Sequence, residues 1–219
     1  MLHLVLVVFA VLCLTAQGFG PAPFAAPRST SALRAALHAS SIDFGPLDGT
    51  SVRVGIIQTR WNPAPVASLI SSCRSSLSAL NVSDSNVFVT TVPGAYELPY
   101  AARLLALSGT VDVIVACGVL VKGDTMHFEY IAEAVSKGLM DVSLGTNVPV
   151  VFGVLTCLTD EQVTARSTGE NNHGDGWGKT AVEMALLRKE AMGTNKKQMG
   201  FGEAIPVGGG EKKAPSIGF

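Results

Sequence analysis

VDVIVACGVL, residues 111–120, is a ten-residue run with Asp112 as its one charge. Its valines and isoleucine favour extended backbone, and apolarity on both side-chain parities marks a strand covered on both faces. Three shorter runs share this character: Val52–Ile57 (VRVGII), Asn86–Val92 (NVFVTTV) and Val148–Leu155 (VPVVFGVL). Helical patterns separate them. After Trp61-Asn62-Pro63 come Val66, Leu69, Ile70, Cys73, Leu77 and Leu80, at the spacing of one buried helical face. Pro63 and Pro65 suit the first turn of that helix. Ala95–Leu107 reads as a second helix. A third begins near Thr125 and turns Ile131, Ala134, Val135, Leu139 and Val142 inward. Thr159-Asp160-Glu161-Gln162 has the capping-box pattern that opens another, and Trp177–Ala191 reads as the last. Doubly buried strands alternating with amphipathic helices specify an α/β fold with three layers, α/β/α, around a four-stranded parallel sheet. The crossovers are expected to be right-handed.

The composition assigns this domain only part of the chain. The 219 residues are 47% hydrophobic and 15% charged, against about 25% charged in ordinary globular proteins. The net charge of −1 offers no basic excess for a nucleic-acid partner. Residues 1–42 hold Arg28 and Arg34 and no acids; residues 43–195 hold ten basic and fifteen acidic side chains; residues 196–219 hold four lysines and two glutamates. Near-neutrality thus hides an acidic middle between two basic ends.

Leu4–Leu14 (LVLVVFAVLCL) is apolar throughout but shorter than the roughly 20 residues of a membrane-spanning helix. With the small residues after it, it reads residues 1–18 as a secretory signal peptide, although only His3 stands where a basic residue is usual. Residues 19–42, beginning FGPAPFAAPRSTSALRAALHASS, are rich in Ala, Ser and Pro and lack acids, as transit segments do. A signal peptide joined to such a segment at Phe19 resembles the bipartite leader of algae with secondary plastids. The expected destination is the plastid, with secretion as the alternative, and no membrane attachment is expected of the mature form. The folded domain is expected over 43–192. The Gly- and Lys-rich tail, 193–219, is expected to be disordered. Cys73, Cys117 and Cys157 form no CxxC pair and sit in apolar patterns, as buried free thiols of a reducing compartment do.

In a doubly covered parallel sheet, function gathers where strands end and helices begin. The polar residues fall there: Arg60-Trp61-Asn62, the PGAYELP segment 93–99, KGDTMHFEY at 122–130, and Thr156–Arg166. The first such turn, QTRWNP at 58–63, has a tryptophan where a dinucleotide fingerprint needs glycine, and the chain carries no Walker pattern. No ligand set has zinc spacing, and no Gly-x-Ser-x-Gly elbow occurs. Histidine titrates near neutrality and both gives and takes protons, which makes His127 the candidate acid/base, beside the ordinary reading of a capping or surface histidine. Arg166, one turn beyond Gln162, reads either as a solvated helix charge or as a bidentate phosphate fork. Trp61 reads as core or as a stacking platform for a flat heterocycle.

Together, VRVGIIQTRWN (52–62), VPGAYELP (92–99), ACGVLVKGDTMHFEYIAEAVSKGL (116–139), VPVVFGVLT (148–156) and NNHGDGWGKTAVEMALL (171–187) resemble the lumazine synthase family of riboflavin biosynthesis. The likeness runs in order from about Asp43 to Ala191, and the last block is similar to fungal-type members. It implies a flavodoxin-like fold and a condensation of 5-amino-6-(ribitylamino)uracil with 3,4-dihydroxy-2-butanone 4-phosphate. The products are 6,7-dimethyl-8-ribityllumazine and phosphate, and no metal or organic cofactor takes part. By the same likeness, Trp61 stacks on the pyrimidine. Ala95, Tyr96 and Glu97 bind its ribityl chain and ring, and Val119, Leu120 and Val121 line the pocket. Asp124 and Thr125 cradle the phosphate, Asp124 through its backbone, since a carboxylate beside phosphate is unfavourable. His127 transfers protons, while Phe152 and Arg166 come from a neighbouring subunit. The resemblance also implies a homo-oligomer, a pentamer or a 60-subunit shell, with sites between subunits, and likens Ile42–Leu47 to a strand that joins a neighbour's sheet. An archaeal-type riboflavin synthase and a non-catalytic lumazine or flavin carrier are the alternatives. A carrier has no need of Arg166.

Overall fold

Four strands lie parallel in the order β2-β1-β3-β4 in the computed structural model, which describes residues 42–193. The expected leader, apart from Ile42, and the expected tail beyond Gly193 lie outside the described residues. The order along the chain is β1 (Val54–Thr59), α1 (Pro63–Ala79), β2 (Val87–Val92), α2 (Leu98–Leu107), β3 (Val113–Val121), α3 (His127–Thr146), β4 (Val150–Cys157), α4 (Asp160–Ser167) and α5 (His173–Ala191). Single 3-10 turns occur at Asp84–Asn86, Ala95–Glu97 and Gly169–Asn171. Val54 of β1 stands opposite Val87 on one side and Val113 on the other, and Ile114 of β3 pairs with Val150.

Alternate strand side chains face opposite ways, so β3 feeds two cores. Val113, Val115, Cys117 and Val119 meet Val66, Leu69, Cys73 and Leu77 of α1 and Ala181, Val182 and Ala185 of α5. Ile114 and Ala116 meet Leu98, Ala102 and Ala106 of α2 and Val135, Leu139 and Val142 of α3. The layers are those the periodicity specifies. Cys73, Cys117 and Cys157 are buried and free, and burial pushes the first two thiols up to about 12.

Two expectations need correction. The last helix begins at His173, not Trp177: the Asn172 side chain accepts the Gly174 N–H at 2.9 Å and donates to Ser167 O at 2.8 Å, a cap that precedes three glycines. Ala134 is exposed, because the sheet-facing stripe of α3 runs 131, 135, 139, 142 and leaves 134 to one side. Ile42–Leu47 pairs with no strand of its own chain, and its reading as a strand on a neighbour's sheet concerns a second copy.

At the rim where the strands begin, Asp112 is buried under two cations. Arg53 donates its backbone N–H to Oδ2 at 2.9 Å and its Nη2 to Oδ1 at 2.9 Å, and Lys189 Nζ stands 3.1 Å from Oδ2. Burial pushes the carboxyl up, but the donors from Arg53 and Lys189 outweigh it and leave Asp112 below the ordinary carboxylate range. A carboxyl that binds its proton less tightly folded than unfolded contributes its stability above the unfolded value, about pH 4. That contribution disappears as the pH falls through the lower folded value. Asp112→Asn is therefore expected to cost about 1–3 kcal/mol at pH 7. The gap from the parent should narrow below about pH 4 in urea titrations, the range where the unfolded carboxyl protonates. A gap constant with pH would show that the charge of Asp112 is not what matters.

Candidate active site

All four strands end on one rim, and the loops that follow three of them close a cleft of about 770 Å³. That is the volume of a site for one or two small metabolites. After β1 the chain turns at Asn62, whose φ of 55° is left-handed, a conformation asparagine tolerates better than most residues. Asn62 Nδ2 donates to Val119 O at 3.1 Å, and Arg60 N–H donates to Val92 O at 3.1 Å. These bonds tie the loop to β3 and β2 and hold the Trp61 indole out over the rim, 74% exposed. A Cβ on Gly94 would lie 3.4 Å from Trp61 Cδ1, so the indole passes directly over the turn after β2. In that turn Gly94 N–H donates to Glu97 Oε2 at 2.9 Å. Ala95 is buried there while Tyr96 is exposed.

The third wall comes from β3 and α3. Val119, Leu120 and Val121 line the cleft at the strand's end, followed by Gly123, Thr125 and His127. His127 is the first residue of α3 and is exposed. The residue before it, Met126, provides no side-chain cap, and Thr125 Oγ1 accepts the His127 N–H at a long 3.4 Å. The first N–H groups of a helix lack intrahelical partners, and here they border the cleft. Such a terminus favours an anion.

Nine of the residues singled out from the sequence thus meet: Trp61, Ala95, Tyr96, Glu97, Val119, Leu120, Val121, Thr125 and His127 all line the cleft. Three do not. Asp124 is exposed and off the lining. Phe152 lies on the edge strand β4, 41% exposed. Arg166 is exposed in the last turn of α4, where its Nη1 donates to Gln162 O at 3.0 Å. Burial, then the Arg166 charge, holds the His173 imidazole below its ordinary range. Asn62, Gly94, Gly123, Phe128 and Ile131 complete the lining and were not singled out. Asn62, Gly94, Gly123 and Phe128 lay within the rim segments already marked as polar. Ile131 was expected in the core, and nothing in its spacing distinguishes a pocket wall from a core position. Among the described residues no three His, Cys, Asp or Glu side chains gather as a metal site.

The sequence model of the family described as 6,7-dimethyl-8-ribityllumazine synthase matches residues 51–189. Similar curated proteins carry that same name. One from Pyricularia oryzae is 40% identical over 182 residues, spanning 65% of this chain and 91% of its own. One from Schizosaccharomyces pombe is 42% identical over 143 residues, 64% of this chain and 90% of its own. A bacterial one, from Cupriavidus pinatubonensis, is 42% identical over 141 residues, 64% of this chain and 83% of its own.

Proposed function

The chain belongs to the 6,7-dimethyl-8-ribityllumazine synthase family, and from that premise we propose how its cleft works. The activity is a transfer reaction of riboflavin biosynthesis: 5-amino-6-(ribitylamino)uracil condenses with 3,4-dihydroxy-2-butanone 4-phosphate, giving 6,7-dimethyl-8-ribityllumazine, water and inorganic phosphate. One observation carries the assignment of roles. An exposed indole, the Gly94–Glu97 turn and an uncapped helix start face one another across a single cleft.

In this reading the pyrimidine stacks on Trp61, and Ala95, Tyr96 and Glu97 hold its ring edge and ribityl chain. Val119, Leu120 and Val121 give the apolar floor. The phosphate of the second substrate sits at Thr125 and the start of α3, with Asp124 contributing its backbone and its carboxylate turned away. The two reactants are thereby held side by side. An amine and a ketone condense without strong acid or base, so most of the acceleration comes from this pairing. His127 moves the protons of imine formation, phosphate departure and ring closure.

Phe152 and Arg166 are read as contributions to the cleft of a neighbouring copy. Their position outside the chain's own cleft supports this. So do Tyr100, Leu104, Leu107, Met140 and Leu144, large apolar side chains exposed on α2 and α3. The assembly is a homo-oligomer, either a pentamer or a shell of 60 copies. Residues 1–42 are read as the leader that takes the chain to a plastid. A reporter fused to them and found outside the cell instead would favour secretion.

Supplied with both substrates, the purified protein is expected to form lumazine absorbance and phosphate in equal amounts. No lumazine, or lumazine without phosphate, would remove the assignment in favour of a carrier or a riboflavin synthase. In the same assay His127→Ala should lower kcat by only about 10- to 100-fold, at or below the bottom of the usual range of about 10²–10⁴ for a general acid/base, because pairing of the reactants supplies most of the acceleration. Complete loss of activity in a folded His127→Ala protein would show that the histidine does more than move protons.

A further inference from the structure

The β3–α3 connection that carries Thr125 and His127 is the five residues Lys122–Met126, and both its ends are tethered. Lys122 N–H donates to Cys157 O at 2.9 Å, so the backbone continues the β3–β4 ladder one residue past Val121. Glu129 sits in the first turn of α3, and the Lys122 ammonium donates to its Oε1 as an ion pair. The pair closes a loop around Gly123, Thr125 and His127, which line the cleft, while Lys122 and Glu129 themselves do not. Other restraints on the loop are slight: Met126 caps nothing and the Thr125 bond is long. The second carboxylate oxygen, Oε2, is shielded from solvent and accepts no hydrogen bond among the described residues. Lys122 is accordingly the group that balances this charge at the mouth of an anion site.

We propose that Lys122 and Glu129 are positioning residues for the phosphate: their ion pair holds Gly123–Met126 in the shape that aims the free N–H groups of α3 at the substrate anion. The proposal rests on the functional reading above. Partly exposed ion pairs add little to stability, so this one should register in substrate binding and hardly at all in melting temperature.

The sign of one effect separates this clip from plain proximity. If Glu129 merely stood near the phosphate, removing its charge by Glu129→Gln would tighten phosphate binding. A clip requires the reverse. With full-length enzyme, Glu129→Gln and Lys122→Met are each expected to raise KM for butanone phosphate, and the inhibition constant of inorganic phosphate, by about 3- to 10-fold, well short of the hundredfold that an ångström of misplacement can cost. Over the same variants KM for the pyrimidine should stay within about twofold, since Trp61 and the Gly94–Glu97 turn that hold it lie outside the clipped loop, and kcat should fall by less than the phosphate KM rises. Lys122→Arg, which keeps the pair, should behave as the parent. An unchanged or lowered phosphate KM in Glu129→Gln would overturn the proposal, as would parallel changes toward both substrates. Loss of the folded protein in both disrupting variants would make the pair structural and equally overturn it. A parent protein that forms no lumazine would instead sink the functional reading, which distinguishes the two failures.

Discussion

Arg166→Ala is expected to raise KM for butanone phosphate about 10- to 100-fold while leaving KM for the pyrimidine near its parent value. A hydrogen bond to a charged group is worth about 1.5–3 kcal/mol, and 1.4 kcal/mol is tenfold in affinity. Among the described residues the guanidinium donates only to Gln162 O, within its own helix, and does not line its own chain's cleft. The reading that Arg166 serves a neighbouring copy therefore makes a sharper demand than a KM shift. Trp61→Ala damages the ring platform and leaves the arginine intact; Arg166→Ala does the opposite. If Trp61 and Arg166 meet across a subunit boundary, unfolding the two variants together and reassembling them must create some sites that hold both native residues. With random mixing in a cyclic oligomer, roughly a quarter of the sites are restored. Recovery of activity well above either variant alone is the expected result. Mixtures no more active than their parts would place both residues in one chain's site and undo the shared-site reading.

Why this has to be tested in trans follows from what the sequence could and could not reveal. The layers were legible because period-2 and period-3.6 apolarity is written into each element: Val113, Val115 and Cys117 alternate with Ile114 and Ala116, and the two sets do face opposite helices. The rim was legible because polar residues interrupt that pattern only at strand ends. The family resemblance then named twelve residues, and nine of them share one cleft. What periodicity misses is conformation set by close contact. Asn62 looked like a loop residue, yet its left-handed φ and its bond to Val119 O fix where Trp61 stands. Ile131 obeys core spacing and packs against the core, yet it also lines the cleft, because a pocket wall and a core edge are the same chemistry with different neighbours. Whether Ile42–Leu47 joins a neighbour's sheet is a matter between two chains, and no pattern within one chain contains that partner.

The missed start of α5 has the clearest physical cause and leads to the largest expected loss of stability. His173–Trp177 reads HGDGW, and glycine is among the poorest helix formers, so the pattern argues for a loop. The structure shows what two of the glycines are for. A Cβ on Gly174 would lie 2.0 Å from Leu69 O and 2.9 Å from Leu69 C; one on Gly178 would lie 2.9 Å from Cys73 O. The glycines let α5 approach the backbone of α1, with Ala181 and Ala185 continuing the small-residue face. Gly176, between them, meets nothing within 4 Å among the described residues. The two positions make a matched pair. At Gly174 the obstacle is a helix carbonyl rather than the end of a side chain, so relief requires the two helices to part. That movement opens the core shared by Leu69, Cys73, Ala181 and Val182. Gly174→Ala is expected to cost about 4 kcal/mol or more, the rare upper range for a point substitution, and to lower Tm by about 8–16 °C. Gly176→Ala should be neutral or stabilising by up to about 1 kcal/mol, the helix propensity of alanine over glycine. Thermal unfolding of the two variants beside the parent checks both. Equal melting temperatures for the pair would show that α5 does not need its close approach to α1. The functional consequence runs in the same direction. Asn172 ties the start of α5 to Ser167 O at the end of α4, so a displaced α5 also displaces the helix that carries Arg166. Any Gly174→Ala protein that survives folding should therefore show the raised butanone phosphate KM of the arginine variant.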